Sequence, residues 1–377
     1  MNVSNAVIGA GFGDEGKGMV VDYLCQKLKR PLVVRYCGGQ QAGHQVVVDE
    51  KTSHVFSSFG SGTLRGIPTY WFPECTIDPV ALLVELDMLM KMGIEPELYI
   101  DRRCPVTTPY DIGAGRIAES QNAHGSCGLG INATYRREEN FYHLKFEDLF
   151  YQSVLHEKLK LIAKHYKCEY DTEYVKNFLN ASFIITNNPF VKMAPDNLTK
   201  DRKGKEFKSL IYEGSQGLLL DQHNGFFPHV TPSNTGSRNF VQYTPFPWIV
   251  TRAYHTRHGN GPHPTEHIPH NIKPNPFEQN FDDSPQGKFR VGLLDYDWLE
   301  YGIYKDAYLR NVPFNLVITC LDCIENEWRL IHDGEIIYFD DEDQFVSWIF
   351  FTLKRKFKIV DVFISHSPIS SKMKRWK

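Results

Sequence analysis

The chain has 377 residues, of which 42% are hydrophobic, and its formal net charge is −3. That apolar content is ample for a buried core, and the length alone would allow two or three domains. The slightly acidic balance argues against broad nucleic-acid binding while leaving room for a local basic pocket, and no run of 18 apolar residues exists to cross a membrane.

In chain order, Ala6-Val7-Ile8 reads as a short apolar strand, and Met19 to Cys25 follows with helical spacing. An N-terminal strand is not a signal peptide, so a cytosolic protein is expected. Residues 31–36 read as a second buried strand. Ala81 to Met92 places Leu82, Leu83, Leu86, Leu89 and Met90 at helical spacing and stops at Gly93. Leu98-Tyr99-Ile100 reads as a strand, residues 141–166 as largely helical, and Lys192 to Lys208 as a polar, basic surface loop. Ser209 to Glu213 reads as a strand delivering a Gly-Ser-Gln-Gly turn. Trp248 to Tyr254 and Phe314 to Thr319 are apolar, β-branched strands. Apolar strands alternating with helices predict an α/β fold: a large, mostly parallel central sheet with helices on both faces. The motifs described below are spread along the whole chain, so one domain over 1–377 is expected, with insertions that are largely helical and loop over roughly 105–205.

Eight cysteines are scattered through the sequence. Cys320-Leu321-Asp322-Cys323 is a lone C-x-x-C with no second pair at zinc spacing, and reduced, structural thiols are the reading that fits a cytosolic chain.

Between the first strand and the first helix runs Gly9-Ala10-Gly11-Phe12-Gly13-Asp14-Glu15-Gly16-Lys17-Gly18. Strand, glycine-rich loop, helix is the arrangement in which backbone N–H groups surround a phosphate. Gly11, Gly16 and Lys17 fit G-x-x-x-x-G-K, but Gly18 stands where a P-loop has its Mg²⁺-binding hydroxyl. The nearest hard oxygen ligand is Asp14. A carboxylate among phosphate-binding amides implies a cation between it and the phosphate.

This loop resembles the adenylosuccinate synthetase family, and four further blocks agree in family order. They are Val34 to Gln45, containing Gly-Gly-Gln-Gln-Ala-Gly-His; Tyr212 to Asp221 with Pro228 to Thr235; Thr256 to Glu266; and Thr319-Cys320-Leu321-Asp322. The resemblance implies a P-loop-NTPase-like sheet and a carbon–nitrogen ligase. A nucleoside triphosphate phosphorylates the 6-oxo oxygen of a purine mononucleotide, and the amino group of L-aspartate then displaces phosphate. By carry-over, Asp14 is the base and, with the Gly43 carbonyl, a ligand of Mg²⁺. His44 is the acid on the γ-phosphoryl, Lys17 and the amides of residues 15–18 hold phosphates, and Gln216 faces the purine edge. Gly13, Glu15, Gly16, Gly18, Gly43, Gln45, Asp322 and Ser365 are expected on the triphosphate, which is GTP or ATP/dATP. Gln41, Ser126, Cys127, Thr231, Arg136, Arg137 and His258 are expected on the mononucleotide.

Departures from the family pattern are informative. A phosphate-binding Thr is replaced by Cys127 and an Arg by Leu129. The arginine that family members send across a homodimer interface aligns near Phe141, leaving Arg136 and Arg137 as its substitutes. The aspartate loop reads Gln286-Gly287-Lys288-Phe289-Arg290, with Lys288 and Arg290 as its only cations. The C-terminal Ser-x-Gly-Pro-Asp-Arg motif is reduced to Ser365-His366-Ser367-Pro368. This pattern suits a diverged, archaeal-like or phage-like member, which in a viral source would act in host cytoplasm. Some bacteriophage relatives act on dGMP, with serine in place of the loop aspartate. Asp14 is retained here, which ranks IMP first and dGMP second. A nucleotide-binding regulator without catalysis is the reading from another class, and the intact Asp14, Lys17, His44 and Gln216 argue against it.

Overall fold

A computed structural model of the chain describes residues 3–121, 127–196, 198–199, 207–278, 280 and 287–377. Among these the strands are β1 (Val3–Gly9), β2 (Pro31–Arg35), β3 (His44–Val47), β4 (Ser53–Phe56), β5 (Thr69–Trp71), β6 (Leu98–Ile100), β7 (Val191–Met193) and β8 (Ser209–Gly217). There follow β9 (Phe246–Arg252), β10 (Tyr254–His258), β11 (Phe289–Asp295), β12 (Phe314–Thr319), β13 (Trp328–His332), β14 (Glu335–Phe339), β15 (Ile359–Ile364) and β16 (Lys374–Arg375). The helices are α1 (Lys17–Lys27), α2 (Pro79–Lys91), α3 (Pro109–Gln121), α4 (Ile131–Glu139), α5 (Gln152–Tyr166), α6 (Glu173–Thr186), α7 (Tyr296–Lys305) and α8 (Glu342–Lys354).

The central sheet runs β16-β15-β12-β9-β1-β8-β2-β5-β6-β7. Every pairing in it is parallel except that of the edge strand β16. Strand alternation divides its side chains between two cores. Val7, Val33, Ile211, Val250 and Val317 pack on Met19, Val20, Val21 and Leu24 of α1. Ile8, Leu32, Val34, Leu210, Ile249 and Leu316 face the opposite way, toward a larger core that takes in Leu82 and Leu86 of α2, Leu299 and Ile303 of α7, and Phe345 and Ile349 of α8. Burial on both sides explains why these strands read as continuous apolar runs. A smaller sheet, β10-β11-β13-β14, flanks the first, and β3 and β4 form a hairpin.

Several sequence expectations need local correction. Gly214 to Gly217 is not a turn, because β8 continues through it and pairs Gly217 with Gly9. The stretch from Trp248 to Tyr254 is two strands, broken at Ala253, where the chain leaves the central sheet for the smaller one. Residues 141–145 are not helical, and the regular helix there begins at Gln152. Lys192 and Met193 belong to the edge strand β7, and Phe207 is buried rather than part of a surface loop.

β1, β8, β9 and β12 are parallel neighbours, so their carboxyl ends meet along one edge of the sheet. That edge is where a doubly wound sheet places its ligands.

Candidate active site

The loop between β1 and α1 is held from within by its own acidic residue. Glu15 accepts from the amides of Gly11 and Gly13, each at 2.9 Å, and its other oxygen lies 2.6 Å from Lys17 Nζ. Burial raises the Glu15 carboxyl, but Lys17 and the Gly13 amide outweigh it and keep it ionised. Thr319 Oγ1 donates to the Glu15 carbonyl at 2.8 Å, and the buried Arg252 donates to the Asp14 carbonyl. Gly16 caps α1 with φ 88°, and the first helical turn has no acidic side chain, which leaves its amides open to an anion. Gly18 is explained by packing: a Cβ there would stand 2.8 Å from the Gln45 carbonyl. A hydroxyl-bearing residue cannot occupy that position, so the loop aspartate is left as the hard ligand.

Asp14 adopts φ 59°, a left-handed conformation that Asp and Asn tolerate better than most residues. Among the described residues no donor hydrogen-bonds its carboxylate. Burial raises its pKa, Arg252 and Lys17 oppose the shift, and the net is upward. A carboxyl so placed is a stronger proton acceptor than an ordinary exposed one.

β3 brings in His44, whose Nδ1 lies 2.6 Å from Glu213 Oε1 on β8. Both residues are buried, and His44 Nε2 has no partner. Glu213 also accepts from the Ser61 amide and hydroxyl. Burial raises the Glu213 carboxyl, but His44, Arg35 and Ser61 bring it down to about 2. The His44 imidazole is lowered by burial, with Glu213 pulling the other way. Without an anion nearby the ring is neutral, with Nδ1–H on Glu213.

These groups line one cleft of about 420 Å³, which contains residues 13–18, Gln41, Gly43, His44, Gln45, Gln216, Arg252, His258 and Asp322. A second cleft of about 480 Å³ is lined by Cys127, Arg136, Thr231 and Arg257, and it shares Gln41, Gln216, Leu220 and His258 with the first. The two open onto each other at the shared side chains. The Oε1 atoms of Gln41 and Gln216 are buried there without partners. Asp14 and Gly43 line the same cleft, so the oxygen donors expected to hold a hard divalent ion are brought together.

Other sequence expectations are corrected. Arg137 cannot cross to a partner subunit: its side chain is fully buried, 2.9 Å from Asp111 and from Glu138, and it donates to the carbonyls of Val106 and Tyr142. Arg136 is exposed, and both arginines line the second cleft, Arg137 with its guanidinium already paired. Arg290 lines neither cleft, because it is bound to Glu266 at 2.8 Å and to the carbonyls of Gly259 and Gly261. Lys288 is exposed, and the Gly287 carbonyl faces His258 Nε2 at 3.1 Å. Ser365 is buried and donates to the Ser367 carbonyl, so Ser367 and Pro368 line the cleft in its stead. Ser126 and Gln286 lie outside the described residues.

Sequence reasoning missed Arg252 and the role of Glu213. Arg252 ends β9 at the carboxyl edge and bridges Asp14 to Glu278, the latter at 2.9 Å. Its signal was a lone arginine closing an apolar strand. For Glu213 the signal was a carboxylate inside Ser209-Leu210-Ile211-Tyr212-Glu213, which must find a partner when both sheet faces are buried.

The family profile for adenylosuccinate synthetase matches residues 6–330. The adenylosuccinate synthetase of Shewanella woodyi is 35% identical over 291 residues, covering 71% of this chain and 65% of the relative. That of Buchnera aphidicola is 32% identical over 346 residues, covering 86% and 79%. The chain thus spans about 65% of the Shewanella relative's length. Among solved structures, fully ligated adenylosuccinate synthetase from Plasmodium falciparum superposes with a TM-score of 0.79 at 20% identity, covering 100% of both chains. Cyanophage S-2L succinoaminodeoxyadenylate synthetase, bound to dGMP and dATP, gives 0.64 at 16% identity, covering 100% of this chain and 95% of that one. By the extent of the profile match and the identity to these relatives, this chain belongs to the adenylosuccinate synthetase family.

Proposed function

We propose that this chain is a carbon–nitrogen ligase that joins L-aspartate to C6 of a 6-oxopurine mononucleotide at the expense of a nucleoside triphosphate. The observation that carries this reading is the meeting of two clefts at Gln41 and Gln216, with Asp14, Lys17 and His44 around the first. The glycine-rich loop takes the triphosphate, and the second cleft takes the mononucleotide. Its 6-oxo edge then lies at the junction, beside the unpartnered Gln216 amide oxygen.

Asp14 removes the N1 proton, which makes O6 nucleophilic toward the γ-phosphoryl. The charge that develops there is met by Lys17, by the amides opening α1 and by His44. An arriving phosphoryl oxygen raises the His44 pKa, and Glu213 stabilises the resulting imidazolium, so the ring donates from Nε2. The 6-phosphoryl intermediate loses phosphate to the aspartate amine, giving an N6-succinyl purine nucleotide. Asp14 and the Gly43 carbonyl would hold Mg²⁺, which neutralises phosphate charge when bound. Lys288 is the cation left to hold aspartate carboxylates. The protein acts as a homodimer, without nucleic-acid or membrane partners, and among the described residues no helix is long and apolar enough to cross a membrane.

Aspartate-dependent phosphate release by the purified chain tests this function. A matrix of IMP, GMP, dGMP and dIMP against GTP, ATP and dATP, with Mg²⁺, should give turnover in at least one pairing. IMP is expected to lead because Asp14 is retained. A dGMP preference would assign the chain to the phage-type reaction, and binding without turnover would make it a regulator.

A further inference from the structure

The C-x-x-C pair spans the boundary between core and cleft: Cys323 is buried in the main core, whereas Cys320 packs against that core and lines the first cleft. β12 ends at Thr319, and Cys320 follows with φ 57° at the rim of the first cleft, half-buried. Leu321–Cys323 form one 3₁₀ turn, and the Cys323 amide donates to the Cys320 carbonyl at 3.2 Å. That bond closes a four-residue turn from Cys320 to Cys323, which brings the two residues close. The two thiols lie close enough to interact electrostatically, and Cys323 likewise with the Tyr254 hydroxyl. Arg252 lies alongside and interacts electrostatically with Cys320. Cys25, Cys37, Cys75 and Cys104 are buried like Cys323, and burial pushes their thiols up, so Cys320 is the member of this set that reaches the cleft.

We propose that Cys320 is a redox-modifiable nucleophile of this cleft and that Cys323 resolves it, the two closing to a disulfide by exchange with a small disulfide of the oxidised-glutathione class. The Cys320 thiolate attacks one sulfur of the small disulfide, whose S–S bond breaks and whose other half leaves as a thiolate that takes a proton from water. Cys323 gives up its proton and attacks Cys320 Sγ, and the second small thiol departs. Two protein thiols are oxidised and one small disulfide is reduced to two thiols. Interaction with Cys323, then with Arg252 and Thr319, holds the Cys320 thiol at about 6 against burial and Asp322, so it is ionised at pH 7. The disulfide removes the negative charge beside Arg252. Because Arg252 also holds the Asp14 carbonyl, closure leaves more of its positive charge to the glycine-rich loop and should tighten triphosphate binding. Only this consequence rests on the function proposed above.

Iodoacetamide labelling of the full chain at pH 7, read by peptide mass spectrometry, should modify Cys320 about fivefold faster than exposed Cys168, because the thiolate is the attacking species and a lowered thiol pKa cuts its nucleophilicity only in part. Oxidised glutathione should give a Cys320–Cys323 disulfide in the native chain. In Cys323→Ser it should leave one glutathione on Cys320. Labelling of Cys320 no faster than Cys168, or no adduct on Cys320 in Cys323→Ser, would overturn the proposal. Triphosphate affinity, measured first on the reduced chain to establish the site, should rise severalfold on oxidation and return to its starting value with dithiothreitol. A disulfide that leaves that affinity unchanged would overturn the coupling through Arg252.

Discussion

His44 and Glu213 form a closed pair across the carboxyl edge of the sheet, with 2.6 Å between Nδ1 and Oε1 and no partner on the far ring nitrogen. Loss of the carboxylate would leave Nδ1–H without its acceptor and, once an anion has protonated the ring, the imidazolium without its counter-charge, so Glu213 sets when His44 takes its second proton. Glu213→Gln keeps the shape and removes the charge. Turnover should fall by about 10²-fold, at the lower end of the usual range for general acid catalysis, with the mononucleotide KM little changed. The alkaline limb of the kcat–pH profile, which requires protonated His44, should move to lower pH. A profile that stays in place would show that Glu213 only packs.

Asp14→Asn tests the loop aspartate. Asn accepts φ 59° as readily as Asp, so the melting temperature should hold. Loss of the base should cost roughly 10²–10⁴-fold in turnover. Wild-type activity should need Mg²⁺ or Mn²⁺ and disappear in excess EDTA, since the groups expected to hold the ion, the Asp14 carboxylate and the Gly43 carbonyl, are hard oxygen donors. Near-normal turnover by the variant would remove Asp14 from the mechanism.

What could be read in advance follows the range of the forces involved. β1, β2, β6 and β12 were legible because each is a short apolar run closed by polar or glycine residues. The glycine-rich loop was legible because its chemistry is contiguous. Partnerships across the chain were not: Arg137 is taken by Asp111, 26 positions earlier, and Arg290 by Glu266 and two carbonyls of a distant loop. The sequence shows both as cations without showing the protein partners that each already holds in the fold.

Arg136 and Arg137 therefore separate. Arg137→Ala strands Asp111, which is fully buried, and should destabilise the fold by about 3–5 kcal/mol, seen as a lower denaturation midpoint. Arg136→Ala should leave the midpoint in place and raise the mononucleotide KM, since a phosphate dianion in a partly desolvated cleft needs a cation. If Arg136 serves a partner's site, mixing Arg136→Ala with Asp14→Asn yields some dimers with one intact site, and activity should reappear. No recovery, despite demonstrated subunit exchange, would place Arg136 on its own subunit's cleft or outside the reaction.

Acid stability depends on two histidines behind the glycine-rich loop. His255 and His263 are buried and flank Phe12, with ring centroids 6.2 and 6.5 Å from it. Arg257 lies over the same ring at 4.3 Å. Burial lowers His255 to about 4. Burial, then His255 and Arg290, lower His263 to about 3. The folded protein therefore binds fewer protons than the unfolded chain between the ordinary histidine pKa of about 6.5 and these values. Stability must fall as pH drops through that window, because protons favour the state that binds more of them. For His255 the drop is ~3 kcal/mol at most by pH 4, at 1.36 kcal/mol per unit. Above pH 7 both rings are neutral in either state and contribute no slope. Denaturation midpoints measured from pH 8 to pH 4 should fall below about pH 6.5, and His255→Gln should flatten part of that fall, since an amide can still donate to the Asp295 carbonyl that His255 Nε2 now faces at 3.2 Å. An equally steep fall in His255→Gln would assign the acid sensitivity to other groups.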